Sequence, residues 1–97
     1  MDDIRFEWDP AKAKLNVRKH RVAFEEARTA FSDDRALIID DPEHSSDESR
    51  FVLLGMSVTL RILVVVHLYR AARDTIRIIS ARRATKSERA IYLQGLH

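Results

Sequence analysis

The sequence LRILVVVHLY at residues 60–69 decides the fold of this chain. Its run of β-branched and other apolar side chains predicts a buried β-strand. Three further extended patterns accompany it: ALIID at 36–40, RFVLLGM at 50–56 and TIRIISA at 75–81. The short connections between neighbouring strands favour a four-stranded antiparallel sheet. Within the RFVLLGM strand, Gly55 is expected to mark a β-bulge.

Helices are predicted before the strand region. Asp9 followed by Pro10 has the pattern of a helix start, with an N-cap residue and a proline in the first helical position. A helix is therefore expected at residues 10–19, and apolar spacings of three and four predict a second helix at 23–31. Between the first two strands, the polar sequence at 42–49 predicts a loop.

A third, short helix is predicted at the C-terminal end. It should begin at Thr85, which has capping-box spacing to Glu88, and end near Gln94 with Gly95 as its C-cap. The order ααββββα predicts one α+β domain over residues 1–97, with an antiparallel sheet covered by helices on one face. The element order and the short connections argue against a parallel nucleotide-binding sheet. Because the chain has only two glycines, no Gly-rich phosphate loop is expected.

The composition restricts the kinds of functional site. The 97-residue chain has no cysteine, which excludes disulfides and a thiolate metal site. Its four histidines are dispersed without zinc-ligand spacing, so no metal and no other cofactor is expected. The acidic N-terminus, MDDIRFEWDP, lacks the pattern of a signal peptide, and the longest apolar run, residues 62–66, is far shorter than a membrane span. We therefore expect a cytoplasmic protein without membrane association.

The charge is distributed unevenly along the chain. Residues 1–50 contain nine Lys and Arg against thirteen Asp and Glu, whereas residues 51–97 contain eight against two. Seven of those eight cations are arginines, whose planar guanidinium group suits phosphate. The basic C-terminal half therefore predicts a polyanionic partner, most of all RNA, and a solvated basic face is the alternative.

Strand alternation predicts which side chains share a face of the sheet. In residues 60–69, His67 and Tyr69 alternate with purely aliphatic positions, which we expect to lie under the helices. Arg77 follows the turn at 71–74 and is expected across from His67 and Tyr69, within about two residues of register. This mixed face is predicted to be open to solvent.

An open face of this composition suits cleavage of RNA by its own 2′-hydroxyl group. That reaction needs a base, cations for the charge that builds on the phosphorane oxygens, and an acid for the leaving 5′-oxygen. We expect His67 to act as base or acid, and either Glu88 or Tyr92 to take the other proton role. Arg77 and Arg82 are expected to hold the phosphate. A purely structural role is the alternative for His67, Glu88 and Tyr92.

Further side chains are candidates for contacts with the rest of the RNA. They are an aromatic residue and five basic ones, located near the predicted site or at the end of the first helix: Tyr69, Arg70, Arg83, Lys86, Lys19 and His20. A solvated surface explains the charged residues of the first helix equally well.

Two segments make the chain resemble the BrnT family of type II toxins. One is FEWDPAKAKLNVRKH at residues 6–20, and the other is DTIRIISARRATKSERAIY at residues 74–92. AFEEARTAF and RFVLLG, which lie between them, match as well, so that the resemblance extends over residues 4–93. In both segments the charged and aromatic residues agree in order and spacing, which makes the signal specific.

The resemblance implies a RelE-like ribonuclease toxin that arrests translation. It also implies a ribbon-helix-helix antitoxin, BrnA, which neutralises the toxin, and operator DNA that is contacted only through this antitoxin. Arg77, Arg82, Glu88 and His67 are the residues carried over as catalytic. We therefore predict a metal-independent endoribonuclease. The alternatives are a non-catalytic antitoxin-binding co-repressor and an RNA-binding module, either of which would saturate with RNA instead of turning it over.

Overall fold

In the computed structural model, which describes residues 4–40 and 49–95, the chain forms five strands and three helices. In chain order they are β1 (Arg5–Glu7), α1 (Pro10–His20), α2 (Phe24–Thr29), β2 (Leu37–Asp40), β3 (Arg50–Met56), β4 (Ile62–Arg70), β5 (Thr75–Arg83) and α3 (Lys86–Gln94). Short 3-10 turns, Ala30–Ser32 and Ala71–Arg73, follow α2 and β4. Residues 42–48 of the predicted polar loop lie outside the described residues.

The sheet is mixed, with the strand order β1-β5-β4-β3-β2. The pairs β2–β3, β3–β4 and β4–β5 are antiparallel as expected. β1 lies at the edge of the sheet and pairs in parallel with β5, with Arg5 opposite Thr75. The prediction of four antiparallel strands was therefore wrong. A strand of three residues is too short to show a hydrophobic period, and its pairing partner lies at the other end of the chain.

The predicted ends of the helices depend on local caps. α1 begins at Pro10 as expected, because the Asp9 carboxylate accepts a hydrogen bond from the Ala11 amide at 2.9 Å. α3 has the expected capping box between Thr85 and Glu88 and ends at Gly95. α2 is shorter than predicted and ends at Thr29, where a 3-10 turn takes over. No helix among the described residues has the length and apolar character needed to cross a membrane.

The hydrophobic core lies between the sheet and the first two helices. On this side, which we call the inner face, β3, β4 and β5 contribute Leu53, Leu63, Val65, Ile78 and Ala81, each at most 1% exposed. Val22, Phe24, Ala27 and Ala30 from the α1–α2 region pack against them. Burial of such side chains contributes about 1.5–3 kcal/mol for each large aliphatic or aromatic residue.

The prediction that His67 and Tyr69 share an open face with Arg77 was wrong. His67 pairs with Ile78 and is 2% exposed in the core, whereas Arg77 pairs with Leu68 on the opposite side of the sheet, the outer face. The expected register was one residue away from the actual one, and a shift of one residue reverses the face of every side chain. The aliphatic positions of β4 therefore point to the outer face, and the mixed positions point to the core.

A β-bulge lies in β5 and not at Gly55. The β3–β4 pairing runs without a shift through Gly55, where a side chain would come within 3.0 Å of the Ala30 carbonyl oxygen. The shift occurs between Val66, opposite Ser80, and His67, opposite Ile78, so that Ile79 is the extra residue. Before the bulge the odd-numbered residue Arg77 lies on the outer face, and after it the even-numbered residues Ser80 and Arg82 do.

Candidate functional site

The β-bulge gathers polar side chains on the outer face. Arg77, Ser80 and Arg82 are directly opposite Leu68, Val66 and Val64, three alternating residues of β4 that share this face. α3 covers only one end of the face, where Glu88 and Ile91 border a cavity with Leu37, Val52, Leu54 and Val64. Ser80 and Arg77 lie beyond that end, where the outer face carries charged groups.

Glu7 and two arginines form one charged cluster of the outer face. β1 places Glu7 directly opposite Arg77, and an Arg77 guanidinium nitrogen donates to the Glu7 carboxylate at 3.1 Å. Nε of Arg70 lies 3.7 Å from the same carboxylate oxygen. The side chains of Glu7 and Arg77 are each 33% exposed, so an incoming anion can reach the pair.

Arg82 and Glu88 form the second charged cluster. Two guanidinium nitrogens of Arg82 donate to the two carboxylate oxygens of Glu88 at 2.8 and 2.9 Å. Glu88 also accepts from the Thr85 amide at 2.8 Å as part of the capping box. The hydrogen bonds from Arg82 lower the pKa of Glu88 to about 2, so at neutral pH it is a carboxylate that orients the guanidinium plane.

His67 and Tyr69 lie on the inner side of the sheet. The His67 ring packs edge-on against Phe31, with ring centroids 4.8 Å apart, and its Nδ1 lies 3.1 Å from the Val65 carbonyl oxygen. Burial lowers the pKa of His67. The Tyr69 hydroxyl donates to the Asp74 carboxylate at 3.0 Å. Neither side chain lies on the face that carries Arg77.

Tyr92, one turn after Glu88 on α3, is bound to Asp33 and not to Glu88. It is 3% exposed, and its hydroxyl donates to the Asp33 carboxylate at 2.5 Å. Burial and this hydrogen bond raise the pKa of Tyr92 to about 12. The Met56 amide donates to the same Asp33 oxygen at 2.8 Å, so the Tyr92–Asp33 contact ties α3 to the end of β3.

The remaining predicted RNA contacts are distributed over several surfaces. Arg70 belongs to the Glu7 cluster, and Arg83 and Lys86 are exposed at the end of β5 and the start of α3. Lys19 and His20 border a groove between α1 and β5. The structure thus places Arg70, Arg77, Arg82 and Glu88 on the outer face in two charged clusters, and Lys19 and His20 in the groove that Ser80 also borders.

Sequence reasoning missed Glu7 and Ser80. Glu7 lies in a three-residue strand, and nothing in the sequence signals its pairing with Arg77, 70 residues later. Ser80 reaches the outer face only because of the bulge at Ile79. Among the described residues, no three His, Asp or Glu side chains are arranged to hold a metal ion.

Comparison with known protein families gives a match over most of this chain. The family model described as "Ribonuclease toxin, BrnT, of type II toxin-antitoxin system" matches residues 8–88. The chain belongs to the BrnT family. The match covers α1, β5 with Arg77 and Arg82, and α3 as far as Glu88. It confirms the resemblance inferred from the two sequence segments.

A solved structure of a BrnT protein has the same fold. The crystal structure of the Brucella abortus ribonuclease toxin BrnT superposes with a TM-score of 0.67 at 21% sequence identity. The match covers 87% of this chain and all of the Brucella chain. No curated protein sequence matches this chain. As a member of a family of type II ribonuclease toxins, the chain has RNA as its target and an antitoxin as its partner.

Proposed function

We propose that this chain is a metal-independent endoribonuclease whose reaction takes place on the outer face. The observation that carries the proposal is the pair of arginines, Arg77 and Arg82, held by Glu7 and Glu88 on the outer face. Arg82 lies beside α3, and Arg77 lies beyond the end that this helix covers. A guanidinium group can donate to the non-bridging oxygens of a phosphodiester, and two such groups on one face can contact phosphates along one strand. They also stabilise the charge that grows on those oxygens in the transition state.

In the proposed reaction the RNA supplies its own nucleophile. The 2′-oxygen forms a bond to phosphorus, the bond from phosphorus to the 5′-oxygen breaks, and the products are a 2′,3′-cyclic phosphate and a 5′-hydroxyl. We assign the 2′-hydroxyl proton to the Glu7 carboxylate, and the leaving 5′-oxygen takes a proton from solvent. Glu7 suits this role better than Glu88, because Glu88 is already committed to two bonds with Arg82 and one with Thr85.

His67 and Tyr92 have no contact with RNA in this proposal. His67 is 2% exposed on the inner face, and the Tyr92 hydroxyl is bound to Asp33. Glu88 acts by holding Arg82 in place. We further propose that the antitoxin is a ribbon-helix-helix protein of the BrnA type, that operator DNA is contacted only through it, and that the toxin acts in the cytoplasm.

The proposal predicts a definite product chemistry. The purified chain should turn over excess single-stranded RNA equally well with and without excess EDTA, and the fragments should carry 2′,3′-cyclic phosphate and 5′-hydroxyl ends. Arg77→Ala should lower the rate about 10²–10³-fold. The cleavage rate of Arg77→Lys should lie between those of the wild type and Arg77→Ala, because lysine keeps the charge but loses the planar set of donors.

The control is Arg73→Ala, which removes one charge from the exposed 3-10 turn before β5 and should cleave like the wild type. Thermal melts should show that Arg77→Ala changes stability by no more than about 1 kcal/mol, as expected for the loss of a partly exposed ion pair. Fragments with 5′-phosphate ends, or activity that EDTA abolishes, would contradict the mechanism. Saturation of the protein by RNA without turnover would favour an RNA-binding module.

A further inference from the structure

The first helix is a basic element within the acidic half of the chain. α1 has the sequence PAKAKLNVRKH, with four Lys and Arg residues and no carboxylate. The described residues provide no ion pair for Lys12, Arg18 or Lys19, in contrast to the paired arginines of the outer face. A helix of this charge raises the local concentration of polyanions near the surface that it borders.

α1 is fixed against the free edge of β5. β1 pairs with residues 75–77 of β5, and among the described residues no strand pairs with the rest of β5 on that side. The Asn16 side chain occupies this edge: its amide nitrogen donates to the Ala81 carbonyl oxygen at 2.8 Å, and its oxygen accepts from the Ala81 amide at 3.1 Å. Asn16 thus satisfies the backbone of β5 as a strand partner would, and it sets the position of the helix.

A groove of about 610 Å³ runs between α1 and the bulged part of β5. Lys12, Lys19 and His20 border it from the helix, and Ile79 and Ser80 border it from the strand. Ser80 also lies on the outer face, where it stands between Arg77 and Arg82 along β5. The groove therefore meets the outer face at the bulge, between the two arginine clusters.

We propose that this groove binds the phosphate backbone of the RNA on one side of the scissile bond. The inference rests on the proposed ribonuclease activity and extends it: the substrate strand crosses the edge of β5 at the bulge and continues along α1. Lysines without an ion pair among the described residues can neutralise phosphates without first releasing a carboxylate. The groove therefore contributes affinity, while Arg77 and Arg82 contribute to the chemistry. Continuity with the arginine clusters favours RNA over an acidic peptide as the occupant.

The experiment measures binding without cleavage. A single-stranded RNA oligonucleotide with 2′-O-methyl groups throughout cannot supply a nucleophile, so its affinity is independent of catalysis. Fluorescence anisotropy over a range of salt concentrations gives the number of phosphates that are neutralised. Lys12→Ala and Lys19→Ala should each lower the slope of log K against log [salt] by about 0.7, which corresponds to roughly fivefold weaker binding at about 0.1 M salt.

Lys14→Ala is the matched control, because Lys14 is an exposed lysine of the same helix that does not border the groove. It should leave the slope unchanged. Thermal melts should be similar for all three variants, since each lysine is exposed. With cleavable RNA, the groove variants should raise KM and leave kcat within about twofold, as expected for the loss of uniform binding.

The outcomes separate the two proposals. If the wild type fails to cleave RNA but its affinity for the methylated RNA depends on Lys12 and Lys19 and not on Lys14, the groove proposal stands and the proposed activity falls. Equal salt slopes for all three variants would overturn the groove proposal. So would variants that keep their affinity for RNA and lose affinity for the antitoxin, because the groove would then serve the protein partner.

Discussion

His67 is a polar side chain held in an apolar environment. Its ring lies between Phe31 and Phe51, with centroid distances of 4.8 and 6.0 Å, and the residue is 2% exposed. Burial disfavours the imidazolium form, which is why the pKa of His67 is lowered from its ordinary value. In the folded protein at neutral pH this histidine is therefore uncharged, and its contribution is to the core.

We expect His67 to make the folded state sensitive to mild acid. Because its folded pKa lies below its unfolded value of 6.5, the unfolded chain binds the proton more readily. Stability should therefore fall as the pH drops below that unfolded value. Urea unfolding of the wild type at pH about 7.5 and about 5.5 should show this loss, and His67→Phe should reduce it.

His20→Asn serves as the control for this experiment, since it removes a histidine that is partly exposed at the end of α1 and lies outside the core. An identical loss of stability in His67→Phe and the wild type would show that another group is responsible. The folded His67→Phe variant should also still cleave RNA, because the ring lies on the inner face. Loss of cleavage with an intact fold would return His67 to the catalytic candidates.

At the scale of the elements, Glu26 fastens the β3–β4 hairpin to the first two helices. Its carboxylate accepts from the hydroxyls of Ser57 and Thr59 at 2.7 and 2.6 Å and from Nε of Arg61 at 2.9 Å. Arg61 also donates to the carbonyl oxygen of Arg21, beyond the end of α1. The hydrogen bond from Arg61 is the main reason why the pKa of Glu26 falls to about 2.

Removing this carboxylate should destabilise the whole fold. A pKa lowered from 4.5 to about 2 corresponds to roughly 3 kcal/mol of stability above pH 4.5, which is lost as the pH falls towards 2. The Glu26 side chain is 14% exposed, so solvent screens the interaction little. Glu26→Gln should therefore lower the free energy of unfolding by about 3 kcal/mol in urea titrations near pH 7.

Glu25→Gln is the matched control, because Glu25 is an exposed carboxylate in the same first turn of α2. It removes the same charge from the helix N-terminus, so the difference between the two variants isolates the hairpin contact. If both variants lose the same stability, the helix end and not the hairpin is responsible. Wild-type unfolding that stays constant between pH 4.5 and 2.5 would argue against the low pKa of Glu26.

At the scale of the whole molecule, cations from both halves of the chain meet around β5. Residues 51–97 contain eight Lys and Arg against two Asp and Glu, and α1 adds four more cations beside the same strand. The like charges of such a surface repel one another, and the surface attracts acidic partners most strongly at low salt. We therefore expect the antitoxin and RNA to compete for the outer face.

Arg82→Ala tests this competition. The variant leaves the Glu88 carboxylate without its guanidinium partner, so it should weaken both RNA cleavage and antitoxin binding, and binding should become less dependent on salt than in the wild type. Calorimetry of the antitoxin at two salt concentrations measures the second effect. Arg89→Ala, an exposed arginine of α3, is the control. Cleavage lost with antitoxin affinity unchanged would mean that inhibition uses another surface.

The sequence by itself determined the family, the helices and most of the strands. Asp9 caps α1 through a residue two positions away, and Thr85 and Glu88 cap α3 across three residues, so both signals are local. The apolar pattern of β4 and the boundaries of β3 are likewise properties of neighbouring residues. The same locality made the two motif segments recognisable as those of the BrnT family.

Only the tertiary structure decided which side chains form the outer face. Glu7 meets Arg77 through the pairing of strands 70 residues apart, and the bulge at Ile79 turns Ser80 and Arg82 to the side of Arg77. Each of these depends on the register of β5 against its neighbours, which is set by packing over the whole sheet. Because side chains alternate with a period of two, a single step of register moves a residue such as His67 from solvent to core.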